Sequence, residues 1–525
     1  MEVGFKLHIM VVASRDRDDE MASGEFADVD KSLTWSSQDR NILQRFRTIA
    51  GIFVLFLNFF IAQYDKFILS YFQKEITADL GISSTDYGIL SGYATSIFFA
   101  LCAIPVAFLA DQSRHRVWIL CLATIWWSVM VILQGLSHNF WEIFLARLAM
   151  GIGQSASESL SVSLISDMLP VKYVPYGESA FYVGIYIGEA VSANISTAFR
   201  ATNTSWRFAL IAIGVVGVVV AFALFVVVAE PKRGRFFIHG PASDSSITHE
   251  KWTTSLYRSS YYVMSLRSFW IITIGSAFRQ LGGNVFGFYM PTFLLQTYPN
   301  ETLLTTKYGI IVAVCGSVAV LLGGLFTSLY FKKRKDVPLV IAAYGGFVSA
   351  IFVIFMVVSK SVAHDDTHAG LRILYGTMSA AYLTAEAWLG PLASLLTLLL
   401  PADIKTLGLA MYNMVVIFIY SSGPEIVGLG LRGAMPTDPS YARTLEIILA
   451  VMIPLSYVIG GVLFLVASPR IKEDIVRNEK HFMILSRDGS IAILSIRRKI
   501  GYVLGAVFLA IMVIVLFVTS LVFKT

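Results

Sequence analysis

Along this chain apolar residues gather into runs of about 20 or more, the length that crosses roughly 30 Å of hydrocarbon as a helix. Six runs fall at 48–71, 86–110, 117–136, 140–169, 176–199 and 207–229. A polar stretch, 230–267, follows, and six more runs come after it at 268–296, 306–331, 337–359, 371–400, 404–431 and 442–467. In lipid only helices or closed barrels satisfy their own backbone, and runs of this length are helical. The pattern therefore predicts an all-α integral membrane protein with an N-terminal bundle at 48–229, a cytosolic linker at 230–267 and a C-terminal bundle at 268–467. Segment 1–47 is polar except for Ile9-Met10-Val11-Val12, too short for a signal-peptide core, and reads as a disordered cytosolic tail. One run breaks the symmetry. Residues 500–523 follow Arg497-Arg498-Lys499 and have no polar face to leave in water, so they read as an additional span. The cytosolic segment between, 468–499, holds Asp488-Gly489 flanked by apolar residues, which reads as a β-hairpin turn or a plain loop.

Composition sharpens this picture. The chain is 56% hydrophobic and only 14% charged, whereas a soluble domain is about one-quarter charged. The net charge of +6 does not imply a nucleic-acid partner, because the basic residues lie in loops. With the N-terminus in the cytosol, the inside loops carry Arg114, Arg116, Lys172, Lys232, Arg233, Arg235 and the run Lys332-Lys333-Arg334-Lys335. The outside loops are sparser, holding Lys74, Arg200, Lys307 and Arg432, the expected positive-inside bias. Two sequons, at Asn203 and Asn300, fall in the outside loops. An odd number of spans places Thr525 on the side opposite the N-terminus. Cys102, Cys121 and Cys315 all lie in apolar runs, so no disulfide framework is expected. His364-Asp365-Asp366-Thr367-His368 has metal-binding residue types but reads as a solvated loop. With no phosphate-binding loop and no nucleophile motif, the chain is not read as an enzyme, needs no cofactor and is not driven by ATP.

The loop after the second run reads Leu109-Ala110-Asp111-Gln112-Ser113-Arg114-His115-Arg116. It resembles the Gly-x-Leu-Ala-Asp-Arg-x-Gly-Arg-Lys loop of the major facilitator superfamily, with Ala107 at the Gly position and Gln112 at the Arg position. Further segments resemble the Spinster family of lipid transporters. They include Tyr64-Asp65-Lys66-Phe67, Arg147 through Ser157, Ile165-Ser166-Asp167, Trp206-Arg207-Phe208-Ala209, Glu230-Pro231-Lys232-Arg233-Gly234 and Phe286 through Leu294. Two departures stand out: the family's first-helix Arg is Lys66 here, and its fourth-helix Glu is Gln154, with a carboxylate reappearing one turn on at Glu158.

The resemblance implies two six-helix bundles rocking about a midplane site, lined by helices one, four, seven and ten. Ionisable residues inside a membrane are costly and default to functional candidates. On those helices they are Asp65, Lys66, Arg147, Glu158, Arg279 and Glu386, with Gln154 beside them; Glu189 and Glu425 read as structural or as cavity edges. Asp65 and Glu158 suit proton coupling, with Arg147 as the modulating cation. Lys66, Arg147 and Arg279 suit an anionic head group. Asp111, Arg114 and Arg116 are the candidate gate. Gly151, Gly153, Gly184 and Gly188 suit close helix approach. The expected partners are the bilayer, a small-molecule or lipid substrate such as a lysophospholipid, sphingoid lipid or other amphipathic organic anion, and the proton as coupling ion. The endolysosomal or plasma membrane is the expected site. The alternative is a non-transporting receptor or membrane-embedded subunit that keeps the fold.

Overall fold

The computed structural model describes residues 42–82, 90, 93–113, 115–202, 204–232, 252–299, 301, 304–331, 333–364, 366–401, 404–431 and 439–488. Arg114, Asn203, Asn300, Asp365, residues 233–251 of the linker and the run 500–523 lie outside them, as does nearly all of the tail. No strand occurs among the described residues.

Twelve long helices carry the chain. The first six are α1 (Ile42–Tyr71), α2 (Tyr93–Gln112), α3 (Arg116–Gly135), α4 (Phe140–Met168), α5 (Val174–Ala201) and α6 (Trp206–Val227). They continue with α7 (Arg267–Thr297), α8 (Leu304–Tyr330), α9 (Val337–Val357), α10 (Thr367–Ala385 and Leu389–Leu399), α11 (Lys405–Tyr420 and Gly423–Gly430) and α12 (Pro439–Asp488). Nine are long and apolar enough to cross a membrane. The other three, α4, α5 and α7, have the length, at 29, 28 and 31 residues, but carry serines, carboxylates and arginines. Those polar side chains are largely buried, so the three helices are sheathed by protein and need less apolar surface. The opposite pattern marks α6, whose Val219 and Phe222 are exposed and form a lipid-facing stripe.

Several boundaries differ from the sequence reading. α1 begins at Ile42 rather than at 48, and a helix Trp252–Ser265 occupies part of the polar linker. α12 runs on to Asp488, which replaces the hairpin reading at that residue; Gly489 lies outside the described residues. α1 and α12 outlast their apolar runs, and Trp252–Ser265 forms without one, because a helix's ladder of hydrogen bonds does not need apolar side chains. The compact unit 1–475 holds all the contacts discussed here; the rest of α12, from Val476, belongs to a second unit, 476–525.

Small residues set the packing. A methyl group on Gly151 of α4 would sit 2.3 Å from the Thr95 carbonyl of α2, and one on Gly188 of α5 would sit 3.1 Å from the Tyr64 nitrogen of α1. Gly153 and Gly184 meet α3 and α1 in the same way. Across the two halves, α5 lies along α8 and α10, and α2 along α11. Three departures from regular helix fall near that seam. α8 holds a π-helical turn at Val312–Gly316, whose Gly316 meets the Tyr186 ring. α10 breaks at Glu386-Ala387-Trp388, and α11 breaks at Ser421-Ser422. Such interruptions mark functional regions of membrane proteins. At the α8–α9 turn, Arg334 pairs with Asp336 at 2.7 Å and Ser468 of α12 donates to the same carboxylate at 2.9 Å. Arg334 holds the Asp336 carboxyl below its usual range, so this tie persists above that range and is lost as pH falls through the lowered value.

The close approach of α4 to α2 gives a first prediction. Gly151→Val should lower stability by about 1–3 kcal/mol through overpacking, read as a lower unfolding temperature in detergent. Gly376→Ala, where an added methyl meets nothing within 4 Å, should leave the unfolding temperature unchanged or raise it. Equal stability of Gly151→Val and the wild type would show that the approach is looser than described.

Candidate functional site

A cavity lies between the two halves, lined by residues of both. Lys66 of α1, Glu158 of α4, Glu189 of α5, Arg279 of α7 and Glu386 of α10 all reach it. A neighbouring cavity shares Lys66 and Glu158 and adds Arg147 and Gln154. Six of the seven residues expected to contact substrate or protons thus line one continuous polar region.

Asp65 is the exception. It is fully buried and lines neither cavity, and no hydrogen bond reaches either carboxylate oxygen among the described residues. Arg147 does not hydrogen-bond to it. Its Nε donates to the Leu90 carbonyl and its Nη1 to Gln134, both at 3.0 Å. The guanidinium is therefore oriented from two directions by α3 and by the stretch before α2.

Each cavity charge meets a distinct environment. The Lys66 ammonium lies over the rings of Tyr420, at 5.1 Å, and Phe67, at 5.7 Å. No carboxylate comes within ion-pairing distance of it among the described residues. Glu158 accepts from the Tyr182 hydroxyl at 2.8 Å. Glu386 accepts from Tyr186 of the other half at 2.7 Å. Glu189, read from sequence as structural or a cavity edge, accepts from Tyr308 at 3.1 Å, again across the halves. Arg279 donates to the Ala385 carbonyl, freed by the break in α10, at 2.7 Å, and its guanidinium stacks 3.5 Å over the Tyr457 ring. Sequence reasoning missed the tyrosines, since a tyrosine in an apolar run gives no sign of which carboxylate its hydroxyl meets.

A second polar cluster closes one end of the seam, the end that carries the α2–α3 loop. Asp111 accepts from the backbone N–H of Leu407 at 2.7 Å. That N–H is in the first turn of α11, where free donors and the helix dipole both favour a carboxylate. Arg116 is buried and donates to Asp167 at 2.7 Å, to Ser163 at 3.1 Å, to Glu230 at 2.9 Å and to the Pro231 carbonyl at 3.1 Å. On the other side of Asp167 the Lys405 ammonium of α11 donates at 2.9 Å, and also reaches Ser166 at 2.9 Å. Thr406 adds a bond to Ser163 at 3.1 Å. Asp111 and Arg116, the expected gate residues, both lie in this cluster; Arg114 lies outside the described residues. Asp167 and Glu230 stood in the quoted motifs without an assigned role. Lys405 was missed, because it reads from sequence as an ordinary interfacial lysine at the start of a span.

A family model described as Major Facilitator Superfamily matches residues 55–424. The sphingosine-1-phosphate transporter SPNS2 of Danio rerio is 24% identical over 315 residues, 57% of this chain. The match spans 60% of that relative's length. An MFS-type efflux pump of Mycolicibacterium smegmatis is 24% identical over 441 residues, covering 83% of this chain and 96% of the pump. Among solved structures, a bacterial homologue of the human lysosomal transporter Spinster, inward-facing and unoccupied, has a TM-score of 0.55 at 18% identity, covering 82% of this chain and 97% of that one.

The contact of Asp111 with α11 carries the second prediction. A carboxylate at a helix N-terminus is worth about 0.3–1 kcal/mol, and more when partly buried. Asp111→Asn should leave the protein folded but speed thiol labelling severalfold at a cysteine placed at Ser159, buried beneath the closure. Labelling no faster than in the Asp111 background would remove this residue from the gate.

Proposed function

This chain belongs to the Major Facilitator Superfamily, and on that premise we propose that it is a secondary transporter for an amphipathic organic anion, working by alternating access. The observation that carries this reading is the position of Lys66. It is a cavity cation between the halves that lies over aromatic rings, with no carboxylate within ion-pairing distance of it among the described residues. An unpaired charge inside a bilayer is costly unless a ligand compensates it. The head group of a lysophospholipid or sphingoid phosphate supplies the missing anion, and Phe59, Phe67, Phe286 and Phe288 offer an apolar wall for its chain. The named activity of the zebrafish relative points to the same class. The work is binding and reorientation, with no covalent step.

Arg279 forms the second anchor in the C-terminal half. Its Nε has no hydrogen-bond partner among the described residues, and its stacking on Tyr457 holds the fork toward the cavity. Glu158 is the proposed proton carrier. It lies in both cavities with Lys66 and bonds a tyrosine hydroxyl rather than a cation, so its charge is the one a proton can remove without breaking an ion pair. Gln154, unable to ionise, leaves Glu158 as the carboxylate facing the cavity from α4. Arg147 orients this region from its two anchored nitrogens, while Asp65 lines neither cavity. The cluster of Asp111, Arg116, Asp167 and Lys405 closes the α2–α3 end, which the basic loops place in the cytosol. The host membrane is proposed to be endolysosomal or plasma.

Two predictions test this in proteoliposomes loaded with a fluorescent lysophospholipid or sphingosine phosphate. Lys66→Ala should raise the KM for uptake by about tenfold or more, equivalent to about 1.4 kcal/mol of lost binding, with normal expression. An unaltered KM would remove the anion site from Lys66, and no uptake by the wild type for any anionic amphipath would favour a receptor that keeps the fold. Glu158→Gln should abolish accumulation driven by a pH gradient while sparing counterflow exchange. Accumulation equal to wild type would falsify its role as proton carrier.

A further inference from the structure

A third polar group lies between the cavity and the closed end, and neither the substrate site nor the gate accounts for it. Glu178 sits on α5, one turn before Tyr182, and is fully buried. Its Oε1 accepts only a long bond, 3.5 Å, from the Thr397 hydroxyl of α10. Its Oε2 has no hydrogen-bond partner among the described residues.

The groups around it are few. α11 brings Lys405, whose charge Glu178 senses. That ammonium, however, lies 2.9 Å from Asp167 of α4, which also binds Arg116 of α3. α5 itself contributes Tyr182, whose hydroxyl is turned to Glu158. The neighbouring Ser179 seals the seam. A methyl on Gly390 of α10 would sit 2.4 Å from its Cα, and one on Gly324 of α8 would sit 2.6 Å from its Cβ. The closed end thus leaves Glu178 without solvent exposure and, among the described residues, without an uncommitted cation.

We propose that Glu178 is a proton-binding site built into the closure, holding a proton while the α2–α3 end is shut and releasing it to the solution at that end when the halves part. Arg116 and Lys405 already serve two carboxylates, Asp167 and Glu230, so an ionised Glu178 would make three anions for two cations, the costly case for buried ion pairs. A neutral acid carries its own O–H donor and needs no cation. Opening withdraws Thr397 and Lys405 together, because α10 and α11 belong to the other half. Water then reaches the carboxyl, which ionises at neutral pH as ordinary glutamates do. Closing takes one proton up from the α2–α3 side, so acid on that side favours the closed state and rising pH opens it. This site is separate from Glu158, which faces the cavity beyond Tyr182.

The inference rests on alternating access, and the test separates the two. Spin labels at Lys172 and Lys333, exposed on opposite halves at the closed end, report the gate distance in the full chain with Cys102, Cys121 and Cys315 replaced by serine. In nanodiscs between about pH 5 and about pH 9, the short-distance population should fall as pH rises, with a slope of up to roughly tenfold in the closed-to-open ratio per pH unit for one proton. Glu178→Gln should hold the short distance across the range. Glu178→Asp and Glu158→Gln should each keep a pH-dependent decline. A wild type without pH response, or a Glu178→Gln profile that declines as the wild type does, overturns the proposal. If added lysophospholipid also leaves the distance unmoved, alternating access fails with it; if lysophospholipid moves the distance while pH does not, only the proton site fails.

Discussion

Asp167 holds two cations at once, Arg116 from its own half and Lys405 from the other. In a low-dielectric interior each of these charges is costly alone, and removing one partner of such a cluster costs about 3–5 kcal/mol. The two halves are therefore tied at one end by a bond that neither can satisfy by itself. Serines 163 and 166 complete the coordination, and Asp111 adds a second tie by meeting the open N–H groups of α11. Every element of the closed end, from the start of α3 to the start of α11, is arranged around keeping Asp167 compensated.

The cavity obeys the opposite rule. Its charges are spread so that they do not cancel: Lys66 rests on aromatic faces, Glu158, Glu189 and Glu386 on tyrosine hydroxyls, and Arg279 on a carbonyl and a ring. A tyrosine hydroxyl can donate to a carboxylate or accept from a carboxylic acid, so these contacts tolerate a change of protonation that an ion pair would resist. In the proposed transport cycle, strong pairing at the closed end would hold a conformation and weak pairing in the cavity would respond to a ligand. Glu178 stands between the two regimes, near the paired cluster but left without a cation by it.

The apolar runs alone determined that the chain is an all-α membrane protein, with six runs on either side of a polar stretch and one more near the C-terminus. This much is local, because a run of about twenty apolar residues in lipid has one way to satisfy its backbone. The candidate residues were also legible, since an ionisable side chain inside such a run stands out by its cost, and Asp111 and Arg116 stood out by their loop. Tertiary structure alone decided which charges meet. Lys405 and Asp167 are 238 residues apart, and Tyr186 and Glu386 are 200 apart. Hydropathy shows that a charge is buried but not which side chain faces it, because the partner is chosen by packing between halves that the one-dimensional pattern treats as independent. The same reason hid the anchors of Arg147, Gln134 and Leu90, and turned Lys405, an ordinary lysine in sequence, into the tie between the two bundles.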